Sequence, residues 1–408
     1  MKYFKNTELA ALYHVSEKSV RNWIESATGN KLALQILEKD GKKYVANTAR
    51  NIALIDQLVE KGKKYKNTRG HKVIRPTETF YKAFNATEIF NIIANLDTHH
   101  EIPLEYSYFD GGAKIWDSYV NKLSQDETPN ILSNTVYLLG LNAQYIDDLL
   151  ENCDAVNVID IGPGNGYPVR ELLGRLSTEG RLNRYIAIDA SRTMLDIAKS
   201  NIYGWFGDDI RLETYTRDIT YERFGDLLAE DSFGKNVVVK NIVLLLGSTL
   251  SNFRDPSLPL TTIRESMGKN DLLISSKQLD TPHSRRHFDY YTGDETKFQL
   301  APKSKFLLDL FNIDESLYEA ESSFDEMAMS RRLLVRLKVA LSIEFMLEDK
   351  QRVINFNKGD AILIWRHKHQ DIVETIEQLN ENGFDLLQAT STRDREFVLT
   401  ISKIRTGY

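Results

Sequence analysis

The residues best placed to do chemistry lie in Val156-Asn-Val-Ile-Asp-Ile-Gly-Pro-Gly-Asn-Gly-Tyr167, where an apolar run ends at Asp160 and opens into a loop with Gly162, Gly164 and Gly166. Glycine there lets the backbone turn sharply and lets a bulky ligand lie directly against it. The spacing D-x-G-x-G-x-G differs from the G-x-G-x-x-G of a dinucleotide loop, so no diphosphate is expected, and the carboxylate before the first glycine suits a ligand bearing positive charge. A second apolar run, Tyr185-Ile-Ala-Ile-Asp189, also ends in a carboxylate. At the carboxyl end of a neighbouring strand such a group can take both hydroxyls of a ribose; on its own it reads equally as the cap of the next helix. A third, Asp218 before Ile219, falls where the same plan meets an adenine amine, or else makes a surface turn.

These positions, in this order, resemble a class I methyltransferase, which implies S-adenosyl-L-methionine as cofactor. The resemblance assigns Asp160, Gly162, Gly164, Gly166, Asp189, Asp218, Ile219 and Gly247 to its binding. More specifically, Leu244-Leu-Leu-Gly-Ser-Thr-Leu-Ser-Asn-Phe253 is similar to the L-G-S-T-x-x-N-[FL] signature of the histidine-specific methyltransferases of ergothioneine biosynthesis, which methylate the α-amine of histidine. The resemblance spans roughly residues 100–400 and takes in Phe109-Asp110-Gly-Gly112, similar to the family's Y-D-x-x-G. It implies substrate contacts from Phe109, from Asn252, whose amide offers donors and an acceptor together, and from Tyr290 or the adjacent Tyr291.

The chain departs from the family where the imidazole is read. The family's G-E-x-I-R-T-E-x-S-x-K is here Gly359-Asp-Ala-Ile-Leu-Ile-Trp-Arg-His-Lys-His369, which puts Trp365 and His367 in place of the reading Glu and Ser. The family's loop lysine is Pro168, and its substrate-side Y-Y-P is Glu127-Thr128-Pro129. A site that hydrogen-bonds its ligand rejects analogues strongly, so losing the polar reader changes which side chain fits. The expected acceptor is a small amine other than histidine, aromatic or otherwise bulky. Two other readings are a methyltransferase acting on a macromolecule, and a DNA-binding regulator that uses a degenerate methyltransferase domain as a metabolite sensor.

The elements that must position these residues follow from periodicity. Residues 77–150 carry apolar groups at helical spacing and form a helical lead-in on the substrate side. In residues 151–280, strand-length runs at Val156–Ile161, Tyr185–Asp189, Asn236–Leu246 and Asp271–Ser276 alternate with helical stretches, which predicts an α/β doubly wound sheet. Residues 281–408 are expected to supply substrate recognition and a long antiparallel hairpin, Arg331–Leu347 with Gln351–Phe356.

Ahead of these, residues 1–60 read as helix, turn, helix, an Asp40-Gly41 hairpin and a further helix. This resembles the winged helix-turn-helix of the MerR and excisionase-like families, with Lys18, Arg21 and Asn22 outward on the second helix. Residues 61–76 read as a basic linker, either a solvated tether or an arm that contacts phosphates. The net charge of −6 is uneven: residues 1–75 hold 16 Lys and Arg against 7 Asp and Glu, or +9, which leaves −15 for the rest. DNA is therefore a candidate partner for the head alone.

No run approaches the ~18 apolar residues of a membrane span, residues 1–30 lack a signal-peptide pattern, and the single Cys153 cannot form an internal disulfide, so a cytoplasmic location is expected, with no metal site. If the head binds duplex DNA, affinity should fall steeply with salt and Arg21→Ala should weaken it. Salt-independent binding in a mobility-shift titration would remove the phosphate contact.

Overall fold

Apolar runs and turn residues set the elements of the computed structural model, which describes residues 3–13, 15–28, 32–67, 70–229, 237–282, 284, 300–347 and 350–406. The chain divides into two units, Met1–Lys72 and Val73–Tyr408. In the first, β1 (Tyr3–Phe4) is followed by helices Asn6–Leu12 and Glu17–Thr28, then by β2 (Ile36–Lys39) and β3 (Lys42–Ala46), and last by helix Ala49–Asn67. Asp40 and Gly41 both take positive φ, as a two-residue hairpin turn requires. Leu9, Val20, Ile24, Val45 and Ile55 form its core. Buried Asn51 ties helix to hairpin: its amide donates to Ala46 O (2.8 Å) and Gln35 O (3.1 Å) and accepts from Gln35 N (3.0 Å). Ser16 Oγ accepts from Ser19 N at the start of the second helix, on which Lys18, Arg21 and Asn22 are exposed.

The basic linker expected at 61–76 needs correction. The third helix runs on to Asn67, and β4 (Lys72–Ile74) begins soon after. Lysine is a good helix former, and the single Gly62 costs only about 1 kcal/mol against alanine, too little to end a helix already propagating.

In the second unit, β5 (Ala155–Ile161), β6 (Leu182–Asp189), β7 (Leu212–Thr216), β8 (Val239–Leu245) and β9 (Leu272–Gln278) pair in parallel. The later strands are β10 (Tyr318–Asp325), β11 (Ser330–Leu337), β12 (Leu341–Leu347), β13 (Lys350–Phe356), β14 (Ala361–Lys368), β15 (Phe384–Ser391) and β16 (Phe397–Ile404). The main sheet runs β15-β16-β9-β8-β5-β6-β7, with β16 antiparallel to both its neighbours. This is the expected doubly wound plan. Val156, Val158, Tyr185 and Ala187 enter the core on one face, and Ile159, Ile161, Ile186 and Ile188 the core on the other. The core is not contiguous over 151–280, because its last two strands come from residues 384–404.

The long hairpin expected over 331–356 is also corrected. The chain breaks at Lys338–Ala340, so that β11 pairs with β10 and β14 while β12 pairs with β13. Alternation persists through both strands, and the break is made by distant backbone, Leu337 N donating to Asp360 O and Lys338 N to Leu317 O. Phe80, Phe311, Phe345 and Phe356 anchor the core beneath these smaller sheets.

Within the lead-in, a single turn at Leu104–Tyr108 precedes helix Gly111–Gln125. A Cβ on Gly112 would sit 2.1 Å from Ser107 O and 2.8 Å from the Phe306 ring. Gly112→Ala should therefore cost about 1–3 kcal/mol, the usual penalty of overpacking, read as a lowered thermal midpoint. An unchanged midpoint would mean that the turn is free to shift.

Candidate functional site: two cavities that share a wall

The strand ends expected to carry the site do converge. Ile161, Gly162, Gly164, Ile188, Asp189, Asp218 and Ile219 line a cavity of about 440 Å³ at the carboxyl ends of β5, β6 and β7. Gly162 and Gly164 take φ of +63° and +57°. A Cβ on Gly162 would lie 3.6 Å from Thr249 Cγ2, and one on Gly164 would lie 3.7 Å from Trp116 Nε1. Side chains there would fill the cradle, so glycine is what keeps it open.

Asp189 Oδ1 accepts from Ser191 N (2.8 Å), and burial raises its carboxyl to about 6. Asp160, buried beneath the loop, accepts from Tyr185 OH (2.8 Å); burial lifts it to about 7, opposed by that hydrogen bond and aided by the charge of Asp189. The donor set fits a cationic adenosyl ligand: acidic groups, open backbone and apolar walls.

A second cavity, of about 510 Å³, adjoins the first. Tyr108, Trp116, Gly162, Gly164, Thr249 and Asn252 line both. Asn252 ends the turn Thr249–Asn252, which is pinned to β9: Gly247 N donates to Ser276 Oγ, Ser248 N to Ser276 O, and Gln278 N to Ser248 Oγ. The far wall holds Ile364, Trp365 and His367 of β14. Trp365 pairs with Leu333 and Leu363 with Leu334, so Ile364 is the extra residue of a bulge, which re-aims the strand toward the cavity. The Trp365 and His367 rings lie 13° from parallel with centroids 5.9 Å apart. Burial, with the nearby His369 and Lys277, pushes His367 down to about 3, so it is neutral and can donate or accept.

Not every expected residue joins the site. Phe109 is buried in the core against Phe84 and Tyr106, and its neighbour Tyr108 faces both cavities instead. The segment therefore reaches the cavities through Tyr108 and not through the side chain that the resemblance implied. Gly166 lines neither cavity: at φ +79° it caps the turn Tyr167–Val169 that leads into helix Arg170–Thr178, and a Cβ there would lie 3.5 Å from Ile202 Cδ1. Gly247, expected on the cofactor, lines only the second cavity. Tyr290 and Tyr291 lie outside the described residues. Trp116, Tyr119, Val120 and Leu123 line the second cavity from one helix, and their three- and four-residue spacing reads as an ordinary core stripe. Lys303 lines it too, with no sequence signal. Among the described residues, no group of three or more His, Cys, Asp or Glu could hold a metal ion, and no helix is long and apolar enough to cross a membrane.

A family model described as histidine-specific methyltransferase, SAM-dependent, matches residues 89–404. Several solved structures are similar. An S-adenosylmethionine-dependent methyltransferase from Clostridium acetobutylicum is 10% identical, covering 72% of this chain and 98% of its own, with a TM-score of 0.39. The CcbJ methyltransferase from Streptomyces caelestis is 12% identical, covering 72% and 96%, with a TM-score of 0.38. The magnesium protoporphyrin IX methyltransferase of Synechocystis, solved with bound SAH, is 13% identical, covering 74% and 98%, with a TM-score of 0.38. No curated protein matches the chain in sequence.

Asp189→Ala should weaken S-adenosylmethionine binding several-fold to a hundredfold, about 1–3 kcal/mol for charge-assisted hydrogen bonds lost at the ribose. Since only the ionised carboxylate accepts from both hydroxyls, affinity should hold above about pH 7 and decline as pH falls through about 6, where Asp189 protonates. Calorimetry across that range checks it. An Asp189→Ala variant with wild-type affinity would exclude this carboxylate from the cofactor site.

Proposed function

This chain belongs to the histidine-specific, SAM-dependent methyltransferase family, and from that premise we propose that it N-methylates a small amine other than histidine. The observation that carries the proposal is the shared wall: a donor in the first cavity and an acceptor in the second would meet between Gly162, Thr249 and Asn252. S-adenosylmethionine supplies a methyl group already activated by its sulfonium. The protein then has to bring the acceptor nitrogen into line and keep water out, the kind of ordering that lowers such barriers most.

In this reading Asp189 fixes the ribose, Asp218 and Ile219 border the adenine, and the glycine loop passes the methionine part toward the second cavity. Asn252 holds the polar end of the acceptor with its amide. The acceptor nitrogen must shed a proton to attack, forming the carbon–nitrogen bond as the carbon–sulfur bond breaks.

The other end of the acceptor meets Trp365 and His367. An indole presents a flat apolar face and one N–H, so it stacks on an aromatic or cationic group but cannot accept a proton from an imidazole N–H as a carboxylate would. Neutral His367 leaves room for one polar substituent. The family match begins at residue 89, so DNA contact by Lys18, Arg21 and Asn22 is a separate proposal, supported only by their exposure and the charge of residues 1–75.

A mass-spectrometric screen of amino acids and related amines with labelled cofactor tests the function. Methylation of an aromatic or bulky amine should exceed that of histidine by about a hundredfold or more, the scale of a lost hydrogen-bonding reader. Efficient trimethylation of histidine would refute the specificity argument, and binding of cofactor without turnover of any small amine would refute the enzyme.

A further inference from the structure

The methionine part of the cofactor is a zwitterion, and its two charges need opposite partners once water is excluded. Asp160, at the end of β5, lines the second cavity beside the glycine loop and offers an acidic partner to the ammonium. A partner for the carboxylate is harder to find. The loop itself, Gly162-Pro-Gly-Asn-Gly-Tyr-Pro168, carries no charged side chain. In the first cavity, Arg217 is taken by Asp226 (2.7 and 2.6 Å) and the Arg223 carbonyl, and Arg254 by Glu101. In the second, His367 is uncharged.

Among the described residues, the remaining cation of the second cavity is Lys303, on helix Pro302–Leu310. Its Nζ lies 3.7 Å from the Tyr119 ring centroid and 5.3 Å from that of Trp116. Among the described residues it forms no ion pair. Trp116 in turn abuts the glycine loop, with Nε1 3.7 Å from the point where a Cβ of Gly164 would be. The ammonium, the indole and the loop backbone thus stand in series along one wall. Two aromatic faces hold a cation there without neutralising it.

We propose that Lys303 receives the carboxylate of the cofactor's methionine part, a charge that the glycine loop itself does not supply. The inference rests on the cofactor reading above and is independent of which amine is methylated. Burial lowers the Lys303 ammonium to about 8, so it still carries its charge near neutrality, and an arriving carboxylate would raise it again.

The test compares calorimetric binding of S-adenosylhomocysteine with that of 5′-methylthioadenosine, which keeps the adenine, ribose and thioether but lacks both charges. Lys303→Met should weaken S-adenosylhomocysteine about ten- to a hundredfold and leave methylthioadenosine unchanged, while Lys303→Arg should retain most of the affinity. Unchanged S-adenosylhomocysteine binding in Lys303→Met would overturn the proposal and turn the lysine toward the acceptor. Equal loss of both ligands would also overturn it, by showing a merely structural role, and Lys303→Gln repeats the comparison if the methionine variant folds poorly. A wild-type protein that binds neither ligand would instead refute the cofactor reading on which the proposal stands.

Discussion

At β5 the winding of the sheet reverses, and the gap opened by that reversal is what the rest of the site depends on. β5 pairs with β6 on one side and β8 on the other, so the loops leaving the carboxyl ends of β5 and β8 diverge and leave a crevice between them. Both loops enter it in left-handed backbone, Gly162 and Gly164 from β5, Gly247 and Ser248 from β8. For Ser248 that conformation costs roughly 1–2 kcal/mol. The cost is offset by hydrogen bonds to β9, made by the Ser248 amide and hydroxyl and by the preceding Gly247 amide. The turn that presents Asn252 is therefore held by β9, and Ser276 is the residue both amides reach.

The two cavities have different builders. The first is made by ends of parallel strands, whose positions the buried apolar core fixes within narrow limits. The second adds a wall from β14, which belongs to another sheet, and a helix, Gly111–Gln125, that precedes the main sheet in sequence. A bulge at Ile364 changes which side chains of β14 face inward, so this wall can vary while the main sheet stays as it is. In the proposed reading, cofactor chemistry sits on the constrained layer and acceptor choice on the adaptable one.

What the sequence made legible follows the same division. A strand that ends in a carboxylate and runs into three glycines has few alternative explanations, and Asp160, Gly162, Gly164 and Asp189 do converge. Asn252, Trp365 and His367 were legible only through family resemblance, and they too share one cavity. Phe109 was misplaced by one residue, because which side chain of a tight turn points inward is settled by packing against Phe84 and Tyr106. The closing strands β15 and β16 went unread, since joining a sheet more than 100 residues upstream leaves no local mark. Lys303 was invisible for a similar reason: its neighbours Trp116 and Tyr119 come from a distant helix.

The electrostatics tie these parts together. Asp160 and Asp189 are both raised by burial, and the charge of Asp189 adds to the cost of ionising Asp160. A positively charged ligand relieves that strain, because each carboxylate regains by Coulomb attraction part of what it lost by leaving water. The methyl donor is cationic at sulfur and the demethylated product is neutral there, so a site of this charge holds the donor more firmly than the product. The second cavity has the opposite design at its far wall: His367 is kept neutral by burial and by the charges of His369 and Lys277, and it neither competes for the donor nor repels a cationic acceptor. In the proposed reading, charge beside the glycine loop sets the direction of exchange, while shape and a single polar ring at the far wall of the second cavity sort acceptors.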